Sequence, residues 1–209
     1  MKKITRKKHL EMKLQSIPAH PKPKVGLEQY TTPSIIASDL LWNASSLGDI
    51  DGKDIVDLGC GTGIFAIGSA LMGANSSIGV DIDSDSISLA CEVQDKLKVG
   101  NVSFICSDIE DFNDSINVDT VFQNPPFGSQ RNADRGQDLK FVKKAIDLKS
   151  DVLYSFHMAS TEEFLVNYYK DNKLEITHIF RYDFPIPKIY DFHRKDNQNV
   201  NVIVIRAEL

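Results

Sequence analysis

At 209 residues, 42% hydrophobic and 25% charged, the chain can bury a full core in one globular domain with a short appendage. A net charge of -5 argues against a protein coated in nucleic acid, and no apolar run approaches the roughly 20 residues that cross a bilayer. Cys60, Cys91 and Cys106 form no CxxC pair and the lysine-rich start lacks a following apolar h-region, so the expectation is a soluble cytoplasmic protein without disulfides or a bound metal.

Residues 1 to 26 read as a basic arm. The first 24 hold eight Lys and Arg against Glu11 alone, a balance of +7 that leaves -12 on the rest. Such an arm suits contact with a polyanion and equally suits a solvated leader. PAHPKPK (18 to 24) is linker-like, and TTPSIIASDLLWNAS (31 to 45) reads as a helix. Then β-branched runs alternate with amphipathic ones: DIVDLG (54 to 59), a helix at 64 to 73, SIGVDI (77 to 82), a helix at 84 to 99, NVSFIC (101 to 106) and VDTVFQ (118 to 123). A helix near 138 to 149, DVLYSFH (151 to 157) and a helix near 161 to 171 continue the series. Repeated βα units call for a mainly parallel sheet with helices on both faces. The last two strands, 174 to 184 and 200 to 209, have no helix between them and are expected as an antiparallel pair at one edge. The expected fold is therefore α/β and Rossmann-like, seven-stranded, with residues 27 to 209 as a single domain.

DLGCGTG (57 to 63) lies where the first strand meets the first helix of the alternation. Glycines there permit positive φ and let a ligand approach the backbone, and the helix N-terminus offers free N–H groups to an anion. The GxGxG spacing differs from the dinucleotide fingerprint. Asp57 ahead of it can accept from an ammonium group, so a zwitterion such as the methionine end of S-adenosylmethionine fits better than a pyrophosphate. Asp81, 18 residues beyond Gly63, is placed to hold ribose hydroxyls. Asp83 in DSDS is expected to cap the next helix, and Asp108 with the amide after it can read an adenine edge. All three carboxylates fall at strand ends, where ligands bind in such sheets.

The fourth strand ends in NPPF. Two prolines lack N–H donors and fix φ, and residues before proline are held extended. The Asn124 side-chain oxygen and the Pro125 carbonyl can then accept both hydrogens of a flat exocyclic amine. That pulls the nitrogen towards a pyramidal, nucleophilic shape; most of the catalysis would come from orientation and preorganised dipoles. Phe127 offers a face for a flipped base, worth about 1 to 3 kcal/mol. The reading requires that this corner be open to solvent and face the sulfonium.

With KPKVGLEQYTT (22 to 32), VDID (80 to 83), YSFH (154 to 157) and RYDFP...YDFHRK (181 to 195) added, the chain resembles, nearly end to end, class I S-adenosylmethionine-dependent methyltransferases of the NPPF group. It is most similar to the methyltransferase-like-five family, which modifies adenine N6 in small-subunit ribosomal RNA. The resemblance implies cofactor contacts from Gln29, Thr32, Gly59, Thr62, Ile64, Asp81, Asp108 and Ile109, beside the Asp57 and Gly61 already read from the loop. It implies a transfer site at Asn124, Pro125, Pro126 and Phe127, and a lid over the methionine moiety at Leu27 to Thr32. The family often has cysteine where this chain has Thr62. Relatives commonly work with a small zinc-binding activator protein that covers an apolar edge strand, which is an expected partner here beside RNA. Tyr30, Lys188 and His193 are candidate substrate contacts, with Tyr190, Arg194 and Lys195 near them; Asp183, Asp191 and Asp196 interleave, as on a solvated surface. His157 is read as a hydrogen-bonded structural residue.

Other classes stay open at this point. A glutamine side-chain amide in a protein is as flat as an adenine amine, although Phe127 in place of Tyr and the missing N-terminal helical substrate domain tilt against it. DNA amino groups are possible acceptors. A non-catalytic binding subunit would show degenerate NPPF or glycine-loop residues, and neither is degenerate.

Overall fold

The computed structural model describes residues 3–24, 29, 31–112, 117–126, 136–187 and 197–209, with 186, 187 and 197–199 described by backbone alone. The elements in order are α1 (Lys7–Leu14), α2 (Ser34–Ser46), β1 (Asp54–Leu58), α3 (Ile64–Leu71), β2 (Ser76–Asp81), α4 (Ser84–Leu97) and β3 (Val102–Cys106). After them come β4 (Thr120–Gln123), α5 (Gln137–Asp147), β5 (Val152–Met158), α6 (Glu162–Asp171), β6 (Glu175–Pro187) and β7 (Asn197–Glu208).

The strands form one sheet in the order β3-β2-β1-β4-β5-β7-β6. β1 to β5 pair in parallel, whereas β7 runs antiparallel to both β5 and β6. Period-two alternation divides the buried residues between the faces. Ile55 and Phe122 point into a core shared with α1 to α4, while Val56, Leu58, Val121 and Leu153 point into one shared with α5 and α6. Phe65 stacks on Phe122 and Phe122 on Tyr154, with centroids 5.6 and 4.9 Å apart, so aromatic rings back the first core behind β4 and β5.

The basic segment is not wholly a solvated arm. Its residues 7 to 14 form α1, and Leu10 and Leu14, one turn apart, are buried in the core with Ile17. Ile4 N–H bonds the Leu71 carbonyl at 3.0 Å, and Lys7 pairs with Asp39 on α2. Charge dominates the composition of this stretch and conceals an apolar i, i+4 pair. β6 also runs three residues past its expected end, through Pro185 to Pro187. As the sheet's edge strand it needs ladder hydrogen bonds on one side only, which is where proline is tolerated. No described helix is long and apolar enough to cross a membrane.

Candidate active site

Strand register brings the motif residues to one rim. Leu58 lies level with Val80 on one side and Gln123 on the other, and Asp81 lies level with Cys106. The segments that leave these ends carry Gly59, Asp81, Asp108 and Asn124. Residues separated by up to 65 positions in sequence thus border one crevice at the carboxyl ends of β1 to β4.

In the loop, Gly59, Gly61 and Gly63 all have positive φ, of 68°, 52° and 86°, conformations that residues with a Cβ rarely adopt. A Cβ on Gly61 would meet nothing within 4 Å, so open space lies over the loop there. Gly59 N–H bonds the Val80 carbonyl at 2.8 Å and Gly61 N–H bonds Asp81 Oδ2 at 2.8 Å. Asp81 Oδ1 accepts from Asp83 N–H at 2.9 Å. One carboxylate therefore spans the glycine loop and the turn after β2; burial raises its pKa above the usual carboxylate range. Asp57 lies beneath the loop, 1% exposed, and accepts from Ala66 N–H at 3.0 Å. Burial pushes its pKa up to about 7, with nearby Asp81 adding to the rise. Thr62 and Ile64 are buried at the loop's end.

Asp83 occupies the N-cap position of α4, but its carboxylate makes no capping bond to the helix backbone. Instead it gathers side chains from the N-terminal segment. Lys24 Nζ donates to Oδ1, Gln29 Nε2 to Oδ2 at 2.7 Å and Ser86 Oγ to Oδ2 at 2.9 Å, with His20 Nε2 at 3.3 Å. Charged and amide donors outcompete the neutral backbone N–H groups. Burial alone would raise the Asp83 pKa, but the bonds from Lys24, Gln29 and Ser86 outweigh it and hold the carboxyl well below its ordinary value. Gln29 Oε1 also accepts from Lys24 N–H at 2.8 Å, so both ends of this expected cofactor contact bond within the protein. His20, Asp83 and Asp85 lie close enough to share a cation, and the Lys24 ammonium contacts both carboxylates there. Asp108, half-buried, accepts from Glu110 N–H at 2.9 Å through Oδ1, and Ile109 is buried beside it.

Asn124 is half-buried, Pro125 buried and Pro126 half-buried. Asn124 Nδ2 donates to Thr32 Oγ1 at 3.0 Å, across 92 positions of sequence. Its Oδ1 is buried and has no partner among the described residues. The acceptor corner is thus partly open: Asn124 and Pro126 are half-exposed while Oδ1 itself is buried, and Thr32, 3% exposed, packs beside the carboxamide at the entry to α2. Phe127, Tyr30, Lys188 and His193 lie outside the described residues, as do Leu27, Tyr190, Arg194 and Lys195.

The motif reading did not find the Asp83 collar, because Lys24 and His20 sit in a stretch that looks like linker. His157 is buried at the end of β5, with Nδ1 2.9 Å from Asp138 Oδ2 and Nε2 3.2 Å from Tyr169 Oη, which agrees with its structural reading.

A methyltransferase-domain model matches residues 49–172. The rRNA N(6)-adenosine-methyltransferase METTL5 of Danio rerio is 33% identical, aligned over 95% of this chain and 97% of its own length. The chain belongs to the methyltransferase-like-five family. A Methanocaldococcus jannaschii protein is 43% identical over 98% of this chain and 95% of its own. The crystal structure of PH1948 from Pyrococcus horikoshii, provisionally called an RNA methyltransferase, superposes with a TM-score of 0.87 at 39% identity, covering 98% of both chains. For a methyltransferase-like-five protein the cofactor is S-adenosylmethionine, and the rim fits it: open space above Gly61 and acidic side chains at the ends of β2 and β3.

Proposed function

We propose that this protein transfers a methyl group to adenine N6 in RNA, small-subunit ribosomal RNA being the natural acceptor. The carrying observation is Asn124 Oδ1, a buried acceptor without a partner among the described residues at the end of β4. Leaving such an atom unpaired costs about 1 to 3 kcal/mol, which a donor brought by the substrate would recover. Full-length relatives named for N6-adenosine methylation in Danio rerio and Drosophila melanogaster support adenine as that donor's source.

When bound, S-adenosylmethionine supplies a sulfonium-activated methyl group. Residues of the glycine loop from Gly59 to Ile64 with Gln29 and Thr32 would hold its amino-acid end, Asp57 acting on the ammonium from beneath, while Asp81 and Asp108 with Ile109 hold the nucleoside. Asn124 Oδ1 and the Pro125 carbonyl would accept the two hydrogens of the adenine amine, Pro126 stiffens the turn, and Phe127 stacks on the base. The chain needs no strong general base, because the methylated amine is acidic enough to lose its proton to water. Tyr30, Lys188 and His193 are proposed RNA contacts, and a small zinc-binding activator is proposed to cover the exposed edge at β3, where Cys106 and nearby Ile82 face solvent. A cytoplasmic location fits these partners.

The test uses purified protein, alone and with an activator, labelled cofactor and separate RNA, DNA and protein acceptors. Label should enter RNA, and Asn124→Ala should lower its rate by about 10²- to 10³-fold while cofactor affinity stays within a few-fold. Label confined to protein would instead favour a glutamine acceptor.

A further inference from the structure

We propose that the solvent face of α1 is a docking surface for the RNA that carries the acceptor adenine; this rests on the RNA reading above. The cations of the N-terminal segment divide into two groups. Lys3 pairs with Asp51 at 2.8 Å, Lys7 with Asp39, and Lys24 with Asp83 and Asp85, so these three fasten the segment to the acidic body. Arg6, Lys8, Lys13 and Lys22 are exposed and have no acidic partner among the described residues. On α1 itself, Leu10 and Leu14 turn inward, while Lys8, His9, Met12 and Lys13 make up the opposite, exposed face. The helix's one acid, Glu11, lies half-buried at the flank of that face.

Helix stability does not account for this placement. An N-cap favours Ser, Thr, Asp or Asn, and a first turn favours acidic side chains. α1 instead has Arg6 at the N-cap without a capping bond, Lys7 and Lys8 after it, and no acid in its first turn. Cations there work against the helix macrodipole. Asp39 on α2 compensates Lys7, but Arg6 and Lys8 break the local rule with no return to the fold, which points to function. The first 24 residues carry +7 and the rest of the chain -12, so a polyanion is repelled by the body and drawn to this face. The face also leads to the crevice. Ile4 N–H bonds the Leu71 carbonyl, at the end of α3 remote from the glycine loop, whereas His20 and Lys24, beyond α1, reach Asp83 at the rim. An RNA whose adenine enters the crevice can therefore lay its flanking phosphates along Lys22, Lys13, Lys8 and Arg6, contacts that position the nucleic acid without reading its bases.

The experiment measures binding of a transcribed small-subunit rRNA fragment to the full-length protein across a series of salt concentrations. One variant combines Arg6→Gln, Lys8→Gln and Lys13→Gln. A control combines Lys96→Gln, Lys143→Gln and Lys170→Gln, which removes three exposed cations from α4, α5 and α6 that likewise have no acidic partner among the described residues. The α1 variant should bind about 10- to 100-fold more weakly at low salt, and its slope of log affinity against log salt should shrink by about 2 to 3. The control should stay within about threefold of the parent, and Lys8→Arg with Lys13→Arg should bind as the parent does, because a phosphate contact needs the charge. In methyl transfer the α1 variant should raise KM for the RNA by the same factor and leave kcat and cofactor affinity within about twofold, the pattern of lost uniform binding. Its unfolding midpoint should match the parent's, since exposed charges contribute little to stability. Equal weakening in the α1 and control variants would mean that RNA follows overall charge; equal binding by the α1 variant and the parent would leave the face to another partner. Either result overturns the proposal. If RNA binds with the expected dependence but no label reaches adenine, the acceptor reading fails and the docking surface stands.

Discussion

Asp57 shows how the site and the stability of the fold oppose one another. Its carboxyl is buried beneath the glycine loop, and burial raises its pKa from 3.8 to about 7. In the unfolded chain it ionises near the ordinary value. Between those two values the folded state keeps a proton that the unfolded state releases, so this group makes stability fall as pH rises from about 4 to 7, with no further loss above. Asp57→Asn should therefore be more stable than the parent at pH 8, by up to a few kcal/mol, and nearly equal to it at pH 4, while binding cofactor more weakly for want of a charge opposite the ammonium. Denaturant midpoints at the two pH values, with a cofactor titration at pH 8, check this; a variant less stable than the parent at pH 8 refutes it. Asp57 was legible in the sequence because its chemistry lies in seven consecutive residues. Thr32 and Asn124, or Asp83 and Lys24, were not legible as partners, since 92 and 59 positions separate them and only the path of the chain unites them.

Elements were legible where hydrophobic period and burial agree, as in the alternation from β1 to α6. α1 was missed because its sequence signal, Leu10 and Leu14, is two residues among lysines. The structure makes those two residues core: Leu10 is 0% exposed and packs with α2 and α3. Leu10→Ala should cost about 2 to 5 kcal/mol by urea unfolding, the range for a buried leucine. Lys8→Ala, on the exposed side of the same helix, should stay within about 0.5 kcal/mol. Equal, small effects would show that α1 does not pack as described. The comparison separates a helix that completes the core from a charged arm, two roles that composition alone cannot distinguish. β6 gives the converse lesson: the expected strand stops at residue 184, yet the strand continues through Pro185 to Pro187, because an edge position leaves their missing donors without consequence.

Across the whole molecule, the terminal hairpin that marks this version of the fold is tied to the segment before β1 by one buried charge. Asp49 accepts from Arg206 on β7 at 2.8 Å (Nε) and 3.0 Å (Nη2), and from Tyr154 Oη on β5 at 2.5 Å. Its backbone carbonyl accepts from Thr120 Oγ1 on β4 at 2.8 Å. Arg206 also reaches Thr177 on β6 and Glu208. Three strands therefore converge on a single loop residue at the end of the sheet opposite the cofactor rim, and β6 joins them through Arg206. A buried pair adds little net stability over an apolar replacement, but removing one partner strands the other. Asp49→Ala should lose about 3 to 5 kcal/mol because it leaves a buried guanidinium with only the exposed Glu208 carboxylate opposite it. The double variant Asp49→Ala with Arg206→Met should recover part of that loss, since no buried charge remains. Methyl transfer by the double variant at a temperature where it is fully folded should match the parent, as neither side chain borders the crevice. Denaturation curves for the two variants, read beside their activities, test the separation: a double variant as unstable as the single one would mean that the arginine contributes through packing, and lost activity in a folded double variant would mean that the hairpin's placement reaches the site.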